Sequence, residues 1–148
     1  MTIKRPKIKL RSTKPSKLHR KMGKAPGTVT YMGHREGVET TISVINYDES
    51  DFNIKSPVYL EEINAIKDSK LNSWIDIAGI SDEAYIDNLG KTLGLNALII
   101  EDAVNPLQRP KIDEYDDYIF TVLKMLYIDE NQEIVSEHLA IVLLENSV

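Results

Sequence analysis

Apolar and polar positions alternate most clearly over Thr40 to Tyr47 (TTISVINY), a β-branched stretch that predicts a strand. A weaker β-prone run, Thr28 to Tyr31, is closed by Gly33 and is expected to be a short strand. Asp48 to Asp51 reads as a turn, and Phe52 to Tyr59 as a poorer extended segment interrupted by Pro57. Leu60 to Ile66 predicts one short helix, and Ser73-Trp74-Ile75-Asp76-Ile77 a strand that ends at Gly79. The period then changes. Ile86, Leu89 and Leu93 recur at helical spacing behind Ser81, the expected N-cap, with Asp82 and Glu83 in the first turn. Lys91 falls in the last turn and Gly94 in the C′ position. A second helix follows, capped by Asn96 and running from Ala97 to Ala103. Asn105-Pro106 stops it, because a residue before proline is pushed out of the α region. Lys111 to Tyr115 predicts a short strand. Tyr118 to Ile128 (YIFTVLKMLYI) is apolar on both alternating faces except at Thr121 and Lys124, so it is expected to be a central strand covered on both sides. After a turn at Asp129 to Gln132, Ile134 to Leu144 makes a last apolar strand. This succession predicts the α/β class, a mixed β-sheet layered with helices.

A length of 148 residues suits one domain, and 42% hydrophobic with 28% charged residues suits a folded one. No apolar run reaches the ~18–20 residues needed to cross a bilayer, and no signal-peptide stretch is visible, so the chain as given is expected to be soluble. With 0 Cys, disulfides, thiolate metal sites and a cysteine nucleophile are excluded. Charge divides the chain. Met1 to Lys24 holds 10 of the 18 basic residues and no acid, leaving 8 cations against 23 acids in the rest. A basic arm of residues 1–24, broken by Pro6 and Pro15 and without apolar periodicity, is expected to be disordered. Ala25-Pro26-Gly27 opens the folded part, residues 25–148, which stops directly after a strand and is therefore expected to be truncated at its C-terminus.

Catalytic patterns are missing: there is no GxGxxG, Walker loop, GxSxG or HExxH, and nothing favours an enzyme. His19, His34 and His138 share no helix face; His138 beside Glu137 in a strand reads as structural, and His34-Arg35-Glu36 as a solvated turn. Asp76 reads as a hydrogen bonder at the end of its strand. The sharpest oddity is Glu101-Asp102, two carboxylates at the negative end of an apolar helix, where each costs roughly 0.3–1 kcal/mol. A cation would reverse that cost, and the acids at Asp113, Glu114, Asp116 and Asp117 deepen the field. Adjacent helical side chains diverge by about 100°, so the pair cannot chelate one ion without a ligand from elsewhere. Mg2+ suits such a half-site, since it takes hard oxygens and keeps several waters. The alternative is an acidic pair bonded to Arg109 or Lys111.

From Pro26 to Leu144 the chain resembles the cytoplasmic N-terminal domain of the CorA family of magnesium transporters. The matching residues are Pro26-Gly27-Thr28, VINYD at 44–48, Trp74-Ile75-Asp76-Ile77 with Gly79, LIIED at 98–102, QRPK at 108–111, YIFTVLKM at 118–125 and Ser136-Glu137. Ala97 departs from the proline usual in relatives. The resemblance implies an α/β/α domain on the cytoplasmic face of the cell membrane, in a homopentameric channel for Mg2+ that also passes Co2+ and Ni2+. It implies that Asp102 binds a regulatory Mg2+ together with an Asp of the neighbouring subunit, that Glu101 joins nearby ion binding, and that these ions hold the pore closed. The long helix, membrane spans and Gly-Met-Asn motif of the family are not in this sequence. A zinc-transporting relative is the nearest rival. A different class is a free-standing module whose basic arm contacts nucleic acid or anionic membrane; the family resemblance carries no expectation of specific nucleic-acid binding.

Overall fold

In the computed structural model, which describes residues 21–33, 37–67 and 69–148, strands and helices are interspersed along the chain. The order is β1 (Thr41–Tyr47), β2 (Phe52–Lys55), α1 (Ile63–Lys67), β3 (Asn72–Ala78), α2 (Glu83–Leu93), α3 (Ala97–Ala103), β4 (Lys111–Glu114), β5 (Ile119–Ile128) and β6 (Ile134–Leu143). The expected single mixed sheet is instead two antiparallel sheets, ordered β2-β1-β3 and β4-β5-β6. Short turns explain this, because strands joined by a tight turn must run antiparallel. At the β1–β2 turn the Asp48 carboxylate accepts from the amides of Ser50 (2.7 Å) and Asp51 (3.0 Å). At the β5–β6 turn Asp129 accepts from the amides of Asn131 and Glu133, both at 2.9 Å. A short parallel contact joins the two sheets. Beyond β6 the chain turns and lays residues 146–148 along β3, where the Ile75 amide donates to the Val148 carbonyl at 2.7 Å.

The helices cover one face of the sheets. Ile42 and Val44 of β1 pack with Ile86, Leu89 and Leu93 of α2 and with Ile100 and Val104 at the end of α3. Ile99 of α3 turns instead to Phe120 and Val122 of β5. The seven-residue α3 therefore sits in both hydrophobic clusters and ties the two sheets together. It can approach α2 closely because position 90 is glycine: a Cβ there would lie 2.5 Å from Ile100 Cγ1.

Several expectations need correcting. Thr28 to Tyr31 forms no strand, although Val29, Thr30 and Tyr31 are buried; the Tyr31 amide donates to the Glu83 carboxylate (3.0 Å) rather than only to a sheet neighbour. The N-cap of α2 is Asp82, whose carboxylate accepts from the Tyr85 amide at 3.0 Å, while the Ser81 hydroxyl donates to the Val38 carbonyl. The helix expected at Leu60 to Ile66 starts as a 3-10 turn over Leu60–Glu62 before α1. β5 is central, but only one face of it is covered. Phe120 and Val122 are buried in the first half of the strand, whereas Leu123, Met125 and Tyr127 on the opposite face are exposed, as are Leu126 and Ile128 toward the end of the strand. The basic arm up to Arg20 and the turn at His34-Arg35-Glu36 lie outside the described residues. Among the described residues no helix is long and apolar enough to cross a membrane.

Candidate metal site

The last turn of α3 carries the two carboxylates. Asn96 starts the helix, its side chain accepting from the Leu98 amide at 2.9 Å, and burial of Ile99 and Ile100 sets the rotation of the remaining positions. Glu101 and Asp102 then diverge, as adjacent helical residues must. Glu101 turns toward the start of the folded chain, where the Gly27 amide donates to its Oε2 at 2.6 Å and Lys21 pairs with its Oε1. Burial pushes the Glu101 carboxyl up, but the Lys21 hydrogen bond, the Gly27 amide and the Lys21 charge outweigh it and hold the group below its ordinary range. Gly27 has φ +81°, and a Cβ on it would come within 3.0 Å of the Ala97 Cβ, so a glycine serves the turn that aims this amide.

Asp102 points the other way, with its side chain 20% exposed, and its Oδ2 pairs with Lys111 at 2.8 Å. Its second oxygen has no protein partner among the described residues. Lys111 opens β4 and also reaches Asp113 at 2.5 Å, with its ammonium 5.4 Å from the centre of the Phe120 ring. The hydrogen bond to Asp102, then that to Asp113, push the Lys111 pKa up to about 12.

A second cation serves the same helix end. Lys124 and His138 face each other across β5 and β6. The Lys124 ammonium donates to the Pro106 carbonyl (2.7 Å) and lies 3.3 Å from His138 Nδ1, and His138 Nε2 lies 2.9 Å from the Ala103 carbonyl. These partners assign a neutral ring with the proton on Nε2, donating to Ala103 and accepting from Lys124. Burial, with the Lys124 charge, pushes the His138 pKa below its ordinary value, and burial lowers that of Lys124. Two lysines thus meet the negative end of the α3 dipole and offset the misplaced acids.

Among the described residues no three His, Asp or Glu side chains come close enough together to hold a metal ion. Asp102 offers one hard oxygen donor on a side chain 20% exposed, which fits half a Mg2+ site and no more. Asp76 lies exposed on β3 opposite Ser43, and Arg109 is exposed, so Lys111 is the partner of Asp102. His138 is structural, as its strand position suggests. Sequence reasoning missed Lys21, Gly27 and Lys124. For Lys124 a signal existed, since a lone cation within an apolar strand needs a polar partner.

Two comparisons bear on what this arrangement belongs to. A family model described as CorA-like Mg2+ transporter protein matches residues 69–148. The cobalt/magnesium transport protein CorA of Thermotoga maritima is 36% identical over 134 residues, which are 89% of this chain. The chain spans 38% of the length of that relative.

Proposed function

Because the chain belongs to the CorA-like Mg2+ transporter family, we propose that it is the cytoplasmic regulatory domain of a homopentameric Mg2+ channel that also passes Co2+ or Ni2+. Asp102 is the half-site for a regulatory Mg2+, and a carboxylate of the neighbouring subunit supplies the other half. Glu101, tied to Lys21 and Gly27, adds to the local negative field rather than coordinating the same ion. Mg2+ bound between subunits favours the closed arrangement over the open one and shifts the population accordingly. In the full-length protein a second helical layer covers the exposed face of β5 and β6, completing an α/β/α arrangement at the cytoplasmic face of the cell membrane.

The observation that carries this reading is the incompleteness of Asp102: a half-buried carboxylate fixed at a helix end, with one oxygen left open. A solvated acid would not need such placement, and a complete intrachain site would need more donors. The test is limited proteolysis of the full-length protein across a Mg2+ series. Wild type should become protected as Mg2+ rises, and Asp102→Ala should lose that protection with little change in folding, since an ion pair of this exposure contributes about 0–1 kcal/mol. Equal Mg2+ protection in wild type and variant would remove Asp102 from the sensor.

A further inference from the structure

We propose that Lys111 is a tethered competitor for Mg2+ at Asp102 and so sets the ion concentration at which the site fills. The inference rests on the regulatory reading of Asp102 given above. Lys111 places a full positive charge 2.8 Å from one oxygen of the carboxylate whose other oxygen an arriving ion would take. Mg2+ demands short contacts to its oxygen ligands, about 2.0–2.1 Å. An ammonium hydrogen-bonded to the same carboxylate repels the ion and occupies one of its donors. Occupation by Mg2+ therefore favours withdrawal of the ammonium.

The structure supplies a place for it to go. Asp113 lies two residues along β4 and holds the same ammonium at 2.5 Å. The ammonium also lies 5.4 Å from the centre of the Phe120 ring, a second favourable contact apart from Asp102. Releasing Asp102 thus leaves Lys111 paired rather than stranded. Without metal, the same ammonium neutralises Asp102 at the helix terminus, where an unpaired acid is disfavoured. The sensor carboxylate is consequently never without a counter-ion, and the metal site works by exchange of one cation for another.

Lys111→Met keeps the stem and removes the charge. In the full-length protein it should lower the Mg2+ concentration for half-maximal protease protection about 2- to 5-fold, the equivalent of removing one competing ion pair. Arg109→Met is the control for net charge, because Arg109 is a nearby exposed cation outside the Asp102 ion pair; it should shift the midpoint less than about 2-fold. Melting without Mg2+ reports whether each variant folds, and Lys111→Gln replaces Lys111→Met if the latter does not. An unchanged or raised midpoint in the Lys111 variant, or an equal shift in Arg109→Met, would overturn the competition while leaving the Asp102 sensor intact. Absence of Asp102-dependent protection in wild type would overturn both.

Discussion

Glu101→Ala separates the structural from the electrostatic role of the acidic pair. In the native chain one Glu101 oxygen accepts the Gly27 amide at 2.6 Å and the other takes Lys21, with the side chain only 12% exposed. A hydrogen bond to a charged group contributes about 1.5–3 kcal/mol. Truncation also leaves the partly buried Gly27 amide without its acceptor, so the upper half of that range applies. At about 4 °C per kcal/mol for a domain of this size, Tm should fall by roughly 9–12 °C. The effect carries a pH signature. Glu101 is held below its ordinary range, so its stabilisation is complete above about pH 4.3, the usual glutamate value, and is lost as pH falls through the lower folded-state value. Thermal melts of both proteins between pH 7 and pH 3, followed by circular dichroism, should show curves that differ at neutrality and converge in acid. A variant melting within about 1 °C of wild type at pH 7 would show that the Gly27 and Lys21 contacts add nothing to stability, and the placement of the first folded residues on α3 would have to be abandoned.

Gly90→Ala tests the approach of α2 to α3. Alanine is ordinarily favoured over glycine in a helix by about 1 kcal/mol, yet here the new methyl would lie 2.5 Å from Ile100 Cγ1 in a buried contact, so a net loss of about 1–3 kcal/mol is expected in urea denaturation; a gain would show that the helices stand further apart. His138 should titrate below its ordinary value of about 6.5 with the proton on Nε2 at neutral pH. Because the unfolded chain then binds the proton more readily, this residue costs stability as pH falls below about 6.5; nitrogen chemical shifts that report a normal or raised pKa would refute the buried contact with Ala103 and Lys124.

Local elements were largely legible because short-range chemistry decides them. The Asn96 cap, the run Ala97 to Ala103 and the stop before Pro106 define α3 to the residue, and the alternation of Thr40 to Tyr47 yields β1. Gly94 adopts φ +75° at the end of α2, the conformation its C′ position calls for. What failed was long-range. Thr28 to Tyr31 has the residues of a strand, but Glu83 intercepts the Tyr31 amide, and no local pattern announces a partner 52 residues away. The apolar residues on both faces of β5 read as two-sided cover, because alternation reports hydrophobicity and not which layer supplies the contact. Sheet pairing was likewise invisible: whether hairpins merge into one sheet depends on where residues 146–148 meet β3. At the candidate site, Glu101 and Asp102 were found from a local violation, acids at the wrong helix end. Their partners Lys21 and Lys111 are set by tertiary placement, and only Lys111 was foreseeable as a neighbour in sequence.

A helix of seven residues is too short to hold its shape in water on its own account. The position of Asp102 is therefore dictated by what α3 packs against. Ile100 and Val104 anchor it to the cluster under β1, Ile99 to the cluster on β5, while His138 fixes the carbonyl of its last residue, Ala103, and Lys124 that of Pro106 just beyond it. This suits the role proposed above for Asp102, half of a site completed by a ligand from another chain. Ordering a mobile side chain or helix end at the moment of binding would cost affinity, about 0.5–1.5 kcal/mol for each flexible side chain immobilised. With the helix seated in both clusters, that cost is met in folding rather than in ion binding. On the reading proposed above, the same seating would carry an ion's effect outward, since a helix packed in both clusters passes a displacement of its end to both sheets rather than to a loose loop.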